Sequence, residues 1–145
     1  MTKVKKRAVK NLSVKKLKAT ADKMYSQYVR LRDSDDQGYC RCVTCGKRDH
    51  WKHMQAGHYV PRTYLALRWD DVNVNVQCVG CNIFKSGAMD EYAVFLIGRH
   101  GAEILGLLSV EKSKLRKMGV ADYKDLIDHI GDKLAGLNIV QGELK

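Results

Sequence analysis

Residues 76–87, VQCVGCNIFKSG, combine a cysteine pair with an asparagine that follows it directly. Cys78 and Cys81 enclose two residues, and this spacing lets two sulfur atoms reach one metal ion from a tight turn. A knuckle that only holds a metal does not require an asparagine at position 82. The motif therefore raises the question of which group Asn82 faces.

A second pair, Cys42-Val-Thr-Cys45, is separated from the first by 32 residues. Two such turns complete a tetrahedral set of four thiolates, which is typical of structural Zn²⁺ because it leaves no open coordination position. An iron–sulfur cluster uses the same ligands and remains an alternative. Cys40 is too close to Cys42 to share the ion with it, so we expect a free thiol there.

The composition indicates one folded domain in a reducing compartment. The chain has 145 residues, of which 45% are hydrophobic, enough for a modest core. It contains no run of the roughly 18–20 apolar residues that a membrane span needs. The first ten residues, MTKVKKRAVK, lack the apolar centre of a signal peptide. We therefore expect a cytoplasmic protein with no membrane partner, whose cysteines bind metal or remain reduced.

Positive charge is concentrated at the start of the chain. The net charge is +10; residues 1–32 hold eleven Lys or Arg against the single acid Asp22, and the remaining residues hold fifteen of each sign. Such a block favours a polyanionic partner, above all nucleic acid. A solubilising tail is the alternative. An anionic membrane fits less well because no aromatic or lipidation signal accompanies the block.

Hydrophobic periodicity predicts an α+β fold. Apolar residues recur every three or four positions from Ser13, a plausible N-cap, to about Arg32, which predicts a helix with a basic outer face. Residues 39–46, 50–60 and 71–78 are β-like, and helical patterns follow Asn82. We divide the domain into a basic arm and helix (1–38), a zinc-bound core (39–100) and a C-terminal helical part (101–145).

His58 is the histidine most suggestive of chemistry. It follows Ala56 and Gly57, whose small side chains leave space for another group beside the imidazole. A β-like run containing Asn73 leads to the second knuckle, and Asn82 is expected to open the next helix. A knuckle that joins a hairpin to a helix would bring His58 and Asn82 face to face. A packed or surface histidine is the alternative.

This arrangement resembles the HNH, or ββα-metal, nucleases. Their pattern is a histidine ending the first strand, an asparagine in the second, and His or Asn opening the helix, which corresponds here to His58, Asn73 and Asn82. The motifs CVTCG, AGHY, LRWDDVNVNVQCVGCN and KSG are more specific. Over roughly residues 40–100 they resemble the NinG/Rap family of phage recombination nucleases, which act on branched DNA.

The resemblance implies a zinc-stapled ββα-metal core and metal-dependent hydrolysis of phosphodiesters in branched DNA, such as Holliday junctions. It assigns His58 as general base, Asn82 as a ligand of Mg²⁺ or Mn²⁺, and Asn73 as the residue that orients His58 or its loop. Gly57 stands where many of these nucleases have an acidic ligand, which leaves the remaining ligands unassigned. Near in sequence, but not at that position, are His53, Gln55, Asp70 and Asp71. A nicking or homing-type nuclease on duplex DNA and a non-catalytic zinc module are alternatives. If the protein is phage-encoded, its compartment is the host cytoplasm.

Arg62, Arg68 and Lys85 flank the predicted site and suit phosphate contacts, although each could equally be an ordinary surface cation. Lys5, Lys6 and Arg7 in the arm are predicted to bind DNA as well. We also expect a homodimer, because resolving a four-way junction requires two cuts. Residues 92–97 are all apolar or aromatic, which predicts a helix buried on every face, in the chain's own core or against a partner.

Overall fold

The computed structural model describes residues 12–137. The predicted α+β class is confirmed. The elements, in chain order, are α1 (Val14–Arg32), β1 (Tyr39–Arg41), β2 (Arg48–His50), β3 (Gln55–His58), β4 (Val74–Gln77), α2 (Met89–His100), α3 (Ile104–Lys112) and α4 (Val120–Ala135). Lys5, Lys6 and Arg7 lie outside the described residues.

The strands form two separate antiparallel pairs. β1 pairs with β2, and β3 pairs with β4 so that His58 lies opposite Val74. Of the strand-turn-strand pattern predicted for residues 50–60, the second strand is present as β3, whereas β2 overlaps the pattern only at His50 and belongs to the other sheet. A 3-10 turn with the buried Trp51 separates them.

The alternating polar and apolar residues 71–78 contain strand β4, and both faces of this strand are buried. Val74 and Val76 belong to the main apolar core. Asn75 and Gln77 point to the other side and are also buried. Asn75 donates to the Val72 carbonyl and to the Tyr92 hydroxyl, so the polar residues of β4 support a hydrogen-bond network instead of facing water.

Helix α1 begins and ends where the sequence predicts. The Ser13 side chain accepts a hydrogen bond from the Lys16 amide at 3.4 Å, and the helix ends at Arg32. Its apolar stripe packs against that of α4, which contributes Tyr123, Ile127, Ile130 and Leu134 to the main core. Helix α1 also packs against β3 and β4, so this one helix contacts both α4 and the second sheet.

Helices α2 and α3 have a smaller core of their own. Six residues are buried together there: Val60, Leu67, Tyr92, Leu96, Ile104 and Leu108. Within residues 12–137 α2 buries one face only, since Val94 is 71% exposed and Ile97 is 39% exposed. The reason is that α3 packs against one side of α2, whereas α1 already covers the stripe of α4.

Within residues 12–137 no single helix is long and apolar enough to cross a membrane; α2 and α3 reach that length and composition only as a pair bent by 110°.

Candidate active site and metal centre

The four predicted metal ligands meet at one point. The sulfur atoms of Cys42, Cys45, Cys78 and Cys81 all lie within 4.8 Å of one another, and those of Cys45 and Cys78 are 3.7 Å apart. Zinc bonds of about 2.3 Å in a tetrahedron place sulfur atoms about 3.8 Å apart. The donor set therefore fits a structural zinc ion. Cys40 is buried outside this cluster, in agreement with its expected role as a free thiol.

Backbone hydrogen bonds shape the two knuckles and tie them to the second sheet. The Gly46 amide bonds to the Cys42 carbonyl at 2.9 Å, and Gly46 has a φ of 76°, a conformation that favours glycine. The Val43 amide bonds to the Val76 carbonyl at 2.9 Å, which joins the first knuckle to β4. In the second knuckle the Asn82 amide bonds to the Cys78 carbonyl at 2.9 Å. The position of Asn82 is thus set by the cysteine turn.

Asn82 does not open an α-helix, contrary to the prediction. It lies inside a single π-helical turn, Gly80–Phe84, and α2 begins only at Met89. The segment between them contains three successive residues with positive φ, Ser86 (50°), Gly87 (90°) and Ala88 (47°). The Gln77 side chain holds this reversal by donating to the Gly87 carbonyl at 2.8 Å. The Lys-Ser-Gly motif therefore forms the turn between the knuckle and α2.

One cleft of about 740 Å³ contains four of the predicted site residues. It lies between α1 on one side and the segment after the second knuckle on the other, with β3 between them. His58, Asn82, Arg62 and Arg68 all line it. The structure therefore brings His58 and Asn82 into one cleft. Lys85 is exposed outside this cleft, beside Asp90 and Glu91.

The His58 ring is held in one neutral form. Its Nε2 lies 2.8 Å from the Arg68 carbonyl oxygen, which can only accept, so Nε2 carries the hydrogen. The neutral ring then has its lone pair on Nδ1. Burial is the main cause that lowers the pKa of His58, and the charges of Arg68 and Arg62 lower it further, against the opposing effect of the carbonyl contact. His58 is therefore neutral near pH 7.

Asn73 lies beneath the loop that follows His58. The side chain is fully buried; its Oδ1 accepts from the Val60 amide at 2.7 Å, and its Nδ2 donates to the carbonyls of Val60 at 2.9 Å and Leu67 at 3.0 Å. The Asn73 carbonyl also accepts from the Tyr59 amide at 3.0 Å. Asn73 thus fixes both ends of residues 59–67, and its contacts are to the loop and not to the imidazole.

The Arg68 guanidinium is engaged inside the protein. It is 9% exposed and donates to both carboxylate oxygens of Asp22, at 2.9 and 2.6 Å, and to the Arg62 carbonyl at 2.7 Å. The Trp69 indole also donates to Asp22, at 3.0 Å. A phosphate contact by Arg68 would have to compete with these bonds. Sequence reasoning missed Asp22, although it is the single acid among eleven cations in residues 1–32.

Comparison with known proteins agrees with these motifs. The family model described as Bacteriophage Lambda NinG protein matches residues 1–139. The chain belongs to the NinG family. Its curated relatives include protein ninG of Escherichia phage 933W, 40% identical over 86 residues (57% of this chain and 39% of the relative). Protein ninG of Salmonella phage P22 is 39% identical over 84 residues (56% and 38%), and that of Escherichia phage lambda is 38% identical over 86 residues (57% and 39%).

The match thus spans about two fifths of the length of these ninG proteins. No solved structure matches the chain.

In this NinG-family chain, the absence of an acid before His58 has a steric cause. A Cβ atom on Gly57 would lie 1.9 Å from Oε1 of Gln77, which is fully buried. No larger side chain fits there without displacing Gln77. The Gln77 Oε1 atom is itself without a hydrogen-bond partner among the described residues.

The other acids near the site in sequence have structural contacts. Asp70 accepts from the amides of Val72 and Asn73 at 3.0 and 2.9 Å. Asp71 accepts from the Tyr25 hydroxyl at 2.8 Å and from Lys133 at 2.6 Å. These bonds join the loop before β4 to itself and to the helices α1 and α4.

Proposed function

We propose that this chain is a metal-dependent, structure-selective DNA endonuclease that hydrolyses phosphodiester bonds in branched DNA, including Holliday junctions. One observation carries the proposal. Nε2 of His58 donates to the Arg68 carbonyl, so the neutral ring has its lone pair on Nδ1, in a cleft that Asn82 and the exposed Arg62 also line. A neutral imidazole beside a phosphate-binding cation is suited to activate water for attack on phosphorus.

In this mechanism His58 accepts the proton of the attacking water at Nδ1. The imidazolium that forms keeps its Nε2 hydrogen bond to the Arg68 carbonyl, which holds the ring in place and stabilises its new charge. A positioned general base of this kind contributes about 10²–10⁴-fold in rate. Asn73 acts indirectly by fixing the loop between His58 and Arg68.

Two kinds of metal site support the reaction. The four thiolates suit zinc and leave it no position for substrate, so that ion stabilises the fold. The cleft offers amide oxygens from Asn82 and Gln55, and hard oxygen donors fit Mg²⁺ or Mn²⁺, which retain several waters. When bound, such an ion stabilises negative charge on the phosphate and the leaving oxygen. Arg62 is placed to hold a phosphate of the same strand.

The decisive experiment uses the purified protein with labelled four-way junction, flap and linear duplex DNA, with and without Mg²⁺. We expect Mg²⁺-dependent cutting of the branched substrates that His58→Ala abolishes. Equal rates on junction and duplex would favour the nicking or homing-type alternative. Binding to all three DNAs without any cutting would favour a non-catalytic zinc module and overturn the proposal.

We also propose that the active unit is a homodimer, because opposing strands of a junction need two sites and a two-fold pair matches the junction's symmetry. Apolar side chains remain exposed on α2 and α3: Val94 (71%), Leu107 (60%) and Val110 (59%). Light scattering of the free protein and of its junction complex measures the stoichiometry. A single copy in both states would contradict the dimer.

A further inference from the structure

The segment between the second knuckle and α2 forms a loop that projects from the core. The chain leaves the core at the buried Cys81 and returns to it at the buried Gly87, whose amide bonds to the Cys81 carbonyl at 2.9 Å. Residues 83–86 between these points are all exposed. Asn82 and Ser86, at the two ends of the loop, line the candidate active-site cleft. The middle of the loop therefore lies at the rim of that cleft.

Phe84, in the middle of this loop, has the most exposed aromatic side chain of residues 12–137. It is 82% exposed, whereas no other phenylalanine, tyrosine or tryptophan in that range exceeds 39%. The neighbouring Ile83 is exposed as well. Adjacent apolar side chains that face solvent at the mouth of a cleft favour a contact surface for a ligand.

Hydrogen bonds on both sides hold the backbone of Phe84 in place. The Lys85 amide bonds to the Gly80 carbonyl at 2.9 Å, and the Ser86 amide bonds to the Ile83 carbonyl at 3.1 Å. The π-helical turn that carries Phe84 overlaps the second knuckle, whose two sulfur atoms belong to the four-cysteine cluster. The ring is thus presented on a rigid support, and a ligand that contacts it meets little cost of ordering the backbone.

The charges on the two sides of this rim differ. Three arginines line the cleft, and the one acid among its described lining residues, Asp22, is paired with Arg68. On the other side, Lys85 lies beside the exposed Asp90 and Glu91, which offset its charge. A phosphate backbone is therefore attracted into the cleft and not to the start of α2. The apolar rim between them is suited to contact a base of the same nucleic acid.

An aromatic ring at this rim can distinguish branched from linear DNA. Aromatic side chains stack on all four bases, because every base has a π face. In a linear duplex each base already stacks on both sides, and an inserted ring must first unstack a base step. At a branch point the bases lose a stacking neighbour, so a ring can stack there at a lower cost.

We infer that Phe84 stacks on an unstacked base at the branch point of DNA and thereby selects branched over linear DNA. The inference rests on the branched-DNA substrate of the proposed function, but it concerns binding and does not require the hydrolytic step. Because the ring can stack on any base, the contact selects DNA structure and not sequence.

Fluorescence anisotropy with a labelled four-way junction and a linear duplex of related sequence, without added Mg²⁺, tests the assignment. Phe84→Ala should weaken binding to the junction about tenfold, because one base–aromatic stack is lost, and weaken binding to the duplex by less than about twofold. Phe84→Leu, which is apolar but has no π face, should lose the same preference, and Phe84→Trp should retain it. The matched control is Leu115→Ala, which removes a fully exposed apolar side chain outside the loop and should change neither affinity.

The emission of 2-aminopurine placed at the branch point gives a second readout. It should rise when the unaltered protein binds, because the probe leaves its neighbouring base, and rise less with Phe84→Ala. Zinc content and thermal melting show whether each variant is folded. If Phe84→Ala fails to fold, the comparison of Phe84→Leu with Phe84→Trp decides.

Three results would overturn the inference. The first is an unaltered protein that binds junction and duplex equally well. The second is a set of folded Phe84 variants that keep the junction preference of the unaltered protein or lose affinity for both DNAs alike. The third is a change in oligomeric state, measured by light scattering, without a change in preference, which would assign Phe84 to a contact between protein chains.

Binding and cutting measured on the same DNAs separate this inference from the proposed nuclease function. A junction preference that depends on Phe84, in a protein that cuts no DNA when Mg²⁺ is added, would keep the base contact and remove the nuclease. Selective cutting of junctions that is unchanged in Phe84→Ala would keep the nuclease and remove the base contact.

Discussion

The four-cysteine cluster and the His58 cleft are neighbours, joined at Cys81 and Asn82, but they are built in different ways. The cluster consists of four cysteine sulfur atoms, which come from two turns with the same C-x-x-C spacing. The cleft gathers unlike groups from α1, β3, the loop after it and the π-helical turn. The cluster therefore sets the position of Asn82, whereas the cleft depends on the packing of the whole chain.

The difference predicts how each region tolerates change. Loss of a cluster ligand should affect the fold and, through it, the cleft. Loss of a cleft residue should affect function while the cluster remains intact. The following predictions test this order of dependence.

The largest effect is expected for Cys78→Ser. Structural zinc sites couple metal binding to folding, with apparent binding free energies of about 10–16 kcal/mol. The variant should lose zinc, measured by elemental analysis, and its cooperative melting transition. Cys40→Ser is the control, because Cys40 lies outside the cluster and the variant should keep its zinc. A stable, zinc-free and active Cys78→Ser protein would contradict the structural role.

His58→Ala should lower single-turnover cleavage of a labelled junction by about 10²–10⁴-fold, the usual contribution of a general base. Folding, zinc content and DNA affinity should remain, because within residues 12–137 the ring makes a single hydrogen bond, to the Arg68 carbonyl. Near-normal cleavage by this variant would exclude His58 as the base.

The pH dependence of cleavage provides a second test of the same residue. A base works only when it is unprotonated, so the rate should fall as the pH falls through the pKa of His58. Burial holds the pKa of His58 below its usual value, and the loss of rate should therefore occur below the pH at which an exposed histidine titrates. A midpoint above that pH would show that the ring is not buried as described.

Asp22→Asn should have an intermediate effect on stability. The substitution replaces the carboxylate that accepts two hydrogen bonds from the buried Arg68. Hydrogen bonds to charged groups contribute about 1.5–3 kcal/mol each to stability. We expect the free energy of unfolding in urea to fall by about this amount. Asp36→Asn, on an exposed turn, is the matched control and should change it by less than about 0.5 kcal/mol. Equal effects of the two substitutions would contradict the role of Asp22.

The smallest effect is expected from deleting residues 1–11, which removes Lys3, Lys5, Lys6, Arg7 and Lys10 but keeps Leu12, which packs against the core. Affinity for DNA should fall about tenfold at moderate salt, and its salt dependence should weaken because fewer phosphates are neutralised. Fluorescence anisotropy at several salt concentrations measures both. Unchanged affinity and slope would show that these residues act only on solubility.

The sequence by itself determined the features that depend on local spacing and charge. Two C-x-x-C turns specify a four-thiolate cluster wherever the chain brings them together. Apolar residues at helical intervals after Ser13 specified α1 with its cap. The specific motifs around His58 and Asn82 also indicated the NinG family, because they combine several residues of fixed spacing.

Only the tertiary structure decided which groups face one another. Asp22 and Arg68 are 46 residues apart, as are Tyr25 and Asp71, and no local pattern reports a pairing at that separation. The burial of Asn75 and Gln77 was equally hidden, because alternation along a strand does not show whether its second face is covered. The close approach of Gln77 to Gly57 and the hydrogen bond from Asn82 to Gln55 likewise join residues on different elements, which the sequence does not reveal. The physical reason is that spacing along a chain fixes local geometry, whereas contacts between distant segments depend on how all the elements pack.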